Sequence, residues 1–500
     1  MMSLRFDRFA VFALLFTACI IAPPVSAQFQ APSGPSPHPV GTPPMQITTS
    51  SLIGDGSPGN HVKMSAILSD GSILIGGHFG QLPFLPPVTL VDGARPTDPW
   101  LVLRLTGDGR RVLGGLRFRT TLSDMVLCGR EGIYIAAGEG GLFAFTPRLD
   151  RQVRHHADIG FAYRVDASPG GYYAVLSPSN VERRETNGGS GQIRVFNPMG
   201  EQIQQFGGFR NTLDLAIDET RRAVHFTGWR QDRSWQPDGG TRLPVQIAYI
   251  RSVGFDGNVR WTGYDWGVTR HEDNFINRGD NNMADTRGYR ITLNPEGNLV
   301  VAFEVAGGNH IFRYSPHNIT DRVTGRFARA QDHHHQFHNT RAEHKTFVGV
   351  YSPETGDFIT GQQFTARLPD GRGNAWRSSR ACIRVAENGQ VWMATTSASG
   401  APYTFRPATA PGNAGGALLH GMSPDLGRRE FGIYLGSGQA HTVSVRTLPG
   451  QQHPVIVWGG VSPPLQSGEE YVLHHFALQP RRNGETNGFF KVFNGRGGQQ

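Results

Sequence analysis

"MSAILSDGSILIGGHF", residues Met64–Phe79, sets two apolar runs around the polar pair Asp70-Gly71. Asp-Gly between apolar runs is a hairpin signal, because glycine takes a positive φ at no steric cost, so the stretch reads as strand, tight turn, strand. Six degenerate copies follow: "SDMVLCGREGIYIAAG", "RVDASPGGYYAVLS", "LDLAIDETRRAVHFTGW", "YRITLNPEGNLVVAFEV", "CIRVAENGQVWMATT" and "VSVRTLPGQQHPVIVWGG". Their turns fall near Gly71, Gly132, Gly170, Thr220, Gly297, Gly389 and Gly450. The mean spacing of about 63 residues exceeds the roughly 40 to 50 of compact propeller repeats, so some copies carry insertions.

A second phrase follows most copies, as in "WLVLRLTGDGRRVLGG", "GQIRVFNPMGEQIQQFGG", "IAYIRSVGFDGNVRWTGY", "FVGVYSPETGDFITGQ" and "ALLHGMSPDLGRREFGIY". Each is again strand, polar turn, strand, so one unit supplies four antiparallel strands, which is a propeller blade. The expected fold is therefore all-β, a seven-bladed β-propeller of four-stranded antiparallel blades. In "YRITL" a period of two sets Tyr289, Ile291 and Leu293 on one face and Arg290 and Thr292 on the other. "NLVVAFEV" is apolar almost throughout, as a strand covered on both faces must be. An incomplete ring would expose a sheet edge. The last blade offers "HTVSVRTL", "PVIVWGG" and "YVLHHFAL", so residues 46 to 53 are expected to close it as the N-terminal outer strand; "FFKVFN" is the competing closure.

"LAIDETRRAVHFTGW" and "VQIAYIRSVGFDGNVRWTG" resemble the bacterial secreted seven-bladed β-propeller repeat (SBBP type), and "ILSDGSILIGGHF" is similar to the delta-60 repeat. The resemblance implies an extracytoplasmic propeller and no particular reaction.

Arg5 and Arg8 precede the apolar "FAVFALLFTACIIA", and "PVSA" follows, which reads as a secretory signal peptide over residues 1–27. Lipid anchoring at Cys19 is disfavoured, because Phe16 stands where a branched aliphatic residue is wanted. No later segment is long and apolar enough to span a bilayer, so export ends in the periplasm or outside the cell. Residues 28–45 are a Pro/Ser/Gly linker, residues 46–480 the propeller, and 481–500 a tail or final outer strand. The formal charge is +8, carried almost wholly by arginine, since the only lysines are Lys63, Lys345 and Lys491. The charge is dispersed and no nucleic-acid motif accompanies it, so nucleic acid is not an expected partner. Cys128 and Cys382 fall in blades 2 and 6 and read as separate buried thiols.

Strand alternation puts the connections between the second and third strands of a blade, and those between blades, on one face. The long ones are Gly80 to Pro99, Gln231 to Leu243, Gly307 to Glu343, Ser397 to Gly415, Tyr264 to Thr286 and Gln362 to Ser379. Ordering long loops costs entropy, and a rigid scaffold retains them mostly where they build a site. The working surface is thus expected on that face, around the channel mouth. The insertion over 307–343 carries "QDHHHQFH": read as extended, it sets His333 and His335 on one side, and His338 closes a set with Asp332, Gln336 or His271 for a divalent metal such as Zn or Mn. Asp273, Asp280 and Asp285 are candidate Ca ligands without EF-hand spacing. Trp235, Trp266 and Trp376 are candidate stacking platforms for a glycan or protein ligand. For the alternative, a polysaccharide lyase or hydrolase, the candidates are Tyr264, Arg270 and His271. Cofactor, oligomeric state and substrate are not legible.

Overall fold

The computed structural model describes residues 45–495 except 83–84, 130–131, 179–190, 210, 234–243, 267–284, 308, 310, 336–343, 403–414, 435–437 and 463–485. Seven four-stranded antiparallel sheets form a seven-bladed propeller. From the axis outward, blade 1 is His61–Ile67, Ile73–His78, Trp100–Leu105 and Val112–Phe118. Blade 2 is Asp124–Cys128, Gly132–Ala136, Leu142–Phe145 and Gln152–His156, and blade 3 is Arg164–Ala167, Tyr173–Pro178, Gly191–Phe196 and Gln202–Phe209. Blade 4 is Thr212–Asp218, Ala223–Arg233, Pro244–Gly254 and Val259–Tyr264, and blade 5 is Thr286–Leu293, Leu299–Ala306, His344–Tyr351 and Phe358–Phe364. Blade 6 is Trp376–Val385, Val391–Ala398, Gly415–Met422 and Arg429–Tyr434. In blade 7, Gln439–Arg446, Val455–Ser462 and Asn487–Gly495 are followed by Met45–Ile53 as the outer strand.

Several of the repeated turns share one form. Leu68 N–H donates to Ser72 O and Gly71 N–H to Leu68 O, and the same pair of bonds recurs at Asn294 to Asn298 and at Ala386 to Gln390. The form requires a left-handed residue, supplied by Gly71, Gly297 and Gly389 at φ of 81°, 80° and 81°. Leu299–Ala306 is buried at every residue, as its unbroken apolarity predicts.

The N-terminal strand closes the ring: Met45–Ile53 pairs antiparallel with Asn487–Gly495, Ser50 opposite Lys491 and Leu52 opposite Phe489. "FFKVFN" is therefore not a rival closure but the third strand of the same blade, the position expected for "YVLHHFAL", which lies outside the described residues. The last blade is then fastened to the first, with Ser65 Oγ 2.9 Å from both Thr442 Oγ1 and Ser444 Oγ, and Arg446 Nη1 donating to Ile67 O at 2.9 Å. Around the axis, carboxylates pin successive inner strands. Val165 N–H donates to Asp124, Ile217 N–H to Asp166 and Ile291 N–H to Asp214, at 3.2, 2.9 and 3.0 Å.

Not every insertion serves the expected face. In blade 1, Thr89–Val91 folds back and pairs parallel to Val112–Phe118, covering that outer edge. The His-rich insertion likewise leaves the face and wraps the rim of blade 5. Its Ile311, Phe312, Tyr314, Ile319 and Val323 join a core with Tyr264, Phe303 and Phe347, and its Ala328 N–H donates to Gly361 O of the outer strand. The expectation that this loop stands at the channel mouth is corrected. Five large apolar side chains and an open strand edge at the rim both gain by covering one another.

Candidate functional site

Among the described residues, the side chains nominated from the sequence do not come together in one open site. Tyr264 is 1 % exposed, and its hydroxyl lies 3.0 Å from that of Tyr351, so it is a core residue whose burial holds the phenol pKa above its ordinary range. Trp266 packs edge-on against Tyr264. Trp376 is sealed against Phe364 and His420, with Nε1–H donated to Thr395 Oγ1 at 3.0 Å. Neither tryptophan presents a free face to a ligand, because in both cases the blade core claims the ring. Trp235, Arg270, His271 and His338 lie outside the described residues, as do Asp273 and Asp280. Asp285 sits 3.2 Å from Arg287 and accepts Gln246 N–H, the position of a structural carboxylate. Cys128 is a free buried thiol, its pKa pushed up to about 12 by burial, with Asp166 adding to the effect.

His333–His335 is a turn of 3-10 helix, not an extended segment, so His333 and His335 point apart: His333 is exposed, its ring tilted against that of His334, whereas His335 is 2 % exposed. Among the described residues no group of three His, Cys, Asp or Glu side chains is placed to hold a metal ion. What this turn does is dock between the outer parts of blades 5 and 6. The His335 ring centroid lies 6.1 Å from that of His420, its Nδ1 lies 3.3 Å from Asp332 Oδ1, and Arg429 Nη2 holds Asp332 Oδ2 at 3.0 Å.

Burial pushes His334 and His335 down to about 4, against the pull of Asp332 and with Arg429 and His333 adding to the depression. His420, facing Arg429, His335 and His334, is also driven well below its ordinary value by burial. A depressed histidine pKa means that the unfolded chain takes up protons first, so the stability is full above pH 6.5 and is lost as pH falls toward 4. For His335 the loss is on the order of 3 kcal/mol. Thermal unfolding midpoints from pH 7.5 to 4.5 are expected to fall steeply in this window for the wild type and less steeply for His335→Phe; parallel curves would refute the assignment.

The cavity at the axis is built by residues that no motif marked. It measures about 400 Å³ and is lined by side chains including His61, Lys63, Trp100, Arg164, Tyr289, Arg290 and His441. These come from the inner strands of blades 1, 3, 5 and 7, with Trp100 from the third strand of blade 1 and Leu213 from the inner strand of blade 4. Inner strands on opposite sides of a ring meet only at its axis. The lining residues lie mostly at strand starts, so the cavity opens on the face that carries the long connections.

A common device turns them inward. Register shifts fall between Val62 and Met64, Thr212 and Asp214, Gly288 and Arg290, and Ala440 and Thr442. The extra residues, Lys63, Leu213, Tyr289 and His441, all line the cavity. A bulge re-aims a side chain and breaks strict alternation. That is why Tyr289 and Arg290, expected on opposite faces, both reach the axial cavity. The signal in the sequence was position: each bulge residue stands eight or nine residues before the left-handed turn residue, Gly71, Arg222, Gly297 or Gly450.

Three fixed cations, Lys63, Arg164 and Arg290, and two imidazoles line the mouth, with no carboxylate among the described lining residues. Asp124 and Asp214 enter a smaller adjoining cavity that shares Lys63, Arg164, Arg290 and His441 with the first and also touches Arg384, and Arg164 Nε lies 3.9 Å from Asp214 Oδ1. Burial raises Asp214, against the pull of Arg290 and Arg164, and pushes Asp166 up to about 6 against Ile217 N–H and Arg384. Trp100 is half-buried, ringed by His61 and His78 at centroid distances of 5.7 and 5.2 Å, with Lys63 Nζ 5.9 Å from the ring centre. Trp100 and Thr121 also line a neighbouring groove of about 480 Å³ with Asp92, Arg119, Thr120, Glu139 and Phe161.

No family model matches the chain, and no curated protein matches it significantly. No helix among the described residues is long and apolar enough to cross a membrane.

Proposed function

We propose that this protein is an exported propeller that binds a ligand at the axial mouth of its loop-bearing face. The observation that carries the reading is the convergence of five inner strands on one cavity, four of them through bulges that bring Lys63, Leu213, Tyr289 and His441 to its wall. Pockets of this size with a few convergent polar groups are the usual form of a ligand site. Export is supported by residues 1–27, which have the pattern of a signal peptide, and by the resemblance to secreted propeller repeats. A glycan suits the wall better than a protein surface does, since half-buried Trp100 lines it beside polar side chains.

The test is binding to a glycan array by wild type and Trp100→Ala, with melting curves to establish that the variant folds. Binding is expected to fall at least tenfold; equal binding by both would sink the reading. A second reading, a carbohydrate-active enzyme such as a polysaccharide lyase or hydrolase, draws on His61 and His441, whose imidazoles flank the cavity with ring centroids 5.6 Å apart. Incubation with acidic polysaccharides, followed for new reducing ends or unsaturated products, separates catalysis from binding.

A further inference from the structure

Resting on that reading of the axial mouth, we infer that the ligand is an oligosaccharide ending in an acidic sugar, its anionic group in the axial cavity and its neutral units along the groove over blades 1 and 2. The charge distribution divides the site in two. At the axis, Lys63, Arg164 and Arg290 surround about 400 Å³ with no carboxylate among the described lining residues, and the Asp214 that pairs with Arg164 at 3.9 Å lies in the adjoining smaller cavity, leaving cations in excess at the mouth. Positive charge in a cavity with low-dielectric walls draws an anion in, and guanidinium forks match a planar carboxylate. The groove is different in kind. Among the described residues, Asp92 and Glu139 face it with Arg119 as the one fixed cation, alongside Thr120 and Thr121. A uniformly charged polyanion would meet repulsion there, whereas sugar hydroxyls would find acceptors and donors in both carboxylates and threonines.

Trp100 stands at the junction, lining both spaces. Its ring, held edge-on by His61 and His78, is fixed in place as a platform for one sugar face. The two volumes together exceed what one monosaccharide fills, and their shared residues Trp100 and Thr121 make them one continuous path. Arg119, Thr120 and Thr121 belong to the connection from blade 1 to blade 2, and Glu139 to the connection within blade 2. Both emerge on the same face as the axial mouth.

The experiment is calorimetric titration of the full-length mature chain with four probes. They are an oligosaccharide carrying one uronate at its non-reducing end, the same oligosaccharide with that carboxyl reduced to an alcohol, the free uronate, and an acidic peptide of similar length. Variants are Lys63→Met, Glu139→Ala and Trp100→Ala, each with its melting curve. The uronate-ended oligosaccharide is expected to bind at least tenfold more tightly than its reduced form, and more weakly as salt rises. Lys63→Met should shrink that discrimination severalfold, weakening the acidic form more than the reduced one. Glu139→Ala should weaken the oligosaccharide severalfold more than the free uronate.

Equal binding of the acidic and reduced forms, both abolished by Trp100→Ala, would overturn the acidic class and leave the axial site standing. A free uronate binding as tightly as the oligosaccharide would overturn the groove, and a peptide binding more tightly than any sugar would overturn the glycan. Sugar binding that Trp100→Ala leaves unchanged would remove the site itself, and with it this proposal.

Discussion

A chain that begins at Gly54, lacking Met45–Ile53, is expected to lose most of its stability and to appear as aggregate in size-exclusion chromatography. The missing strand pairs with Asn487–Gly495 along its whole length, and those residues include the buried Phe489, Phe490, Val492 and Phe493. Removing it bares one edge of that strand, an invitation to edge-to-edge association. Leu52 and Ile53 are themselves buried, at about 1.5–3 kcal/mol each. Lost strand pairing comes in addition, against a total stability of about 5–15 kcal/mol. The control begins at Met45 and keeps the closure. If the two chains melt at the same temperature and both run as monomers, the strand does not hold the ring.

Glu304→Ala is expected to cost about 3–5 kcal/mol, because it removes the anion from a buried cluster and leaves the cations behind. Glu304 is 1 % exposed; Arg287 Nη1 lies 3.0 Å from Oε1, Arg377 Nε 3.0 Å from Oε2 and His344 Nδ1 2.7 Å from Oε1. Burial alone would raise the carboxyl pKa, but hydrogen bonds from His344 and Arg377 outweigh it and bring the group down to about 2. A depressed carboxyl pKa contributes stability that is present above pH 4.5 and is lost as pH falls from there toward 2. Denaturant unfolding of wild type and variant at pH 7 reads the cost, and the gap between them should narrow below pH 4.5. Glu304→Gln keeps the shape and should cost less than Glu304→Ala. A gap that does not change with pH would mean that the loss is one of packing and not of charge.

The cluster explains why the connection from blade 5 to blade 6 and the His-rich insertion could not be read as a site from composition. Arg287, His344 and Arg377 have the residue types of a binding or catalytic group, yet all three serve one structural carboxylate. Tyr264, Trp266 and Trp376 misled in the same way. Large polar-tipped aromatics in long connections suggest contact with a ligand, but whether the ring faces solvent or a neighbouring blade depends on packing between segments far apart in sequence. The path of the histidine run was likewise not legible, because its apolar neighbours Ile311, Phe312 and Ile319 take the insertion over the rim of blade 5.

The blade count, the hairpin turns and the closing N-terminal strand followed from the sequence alone. They depend on local quantities: apolar runs of strand length, a turn residue able to take positive φ, and a repeat that leaves one strand to be found elsewhere. Which residues face the axis was decided only by the tertiary structure. Four bulges shift the register by one residue near the starts of inner strands, and a single extra residue reverses which side chain points inward. Lys63, Arg290 and His441, separated by more than two hundred residues from 63 to 290, share a cavity because ring closure sets seven inner strands around one line.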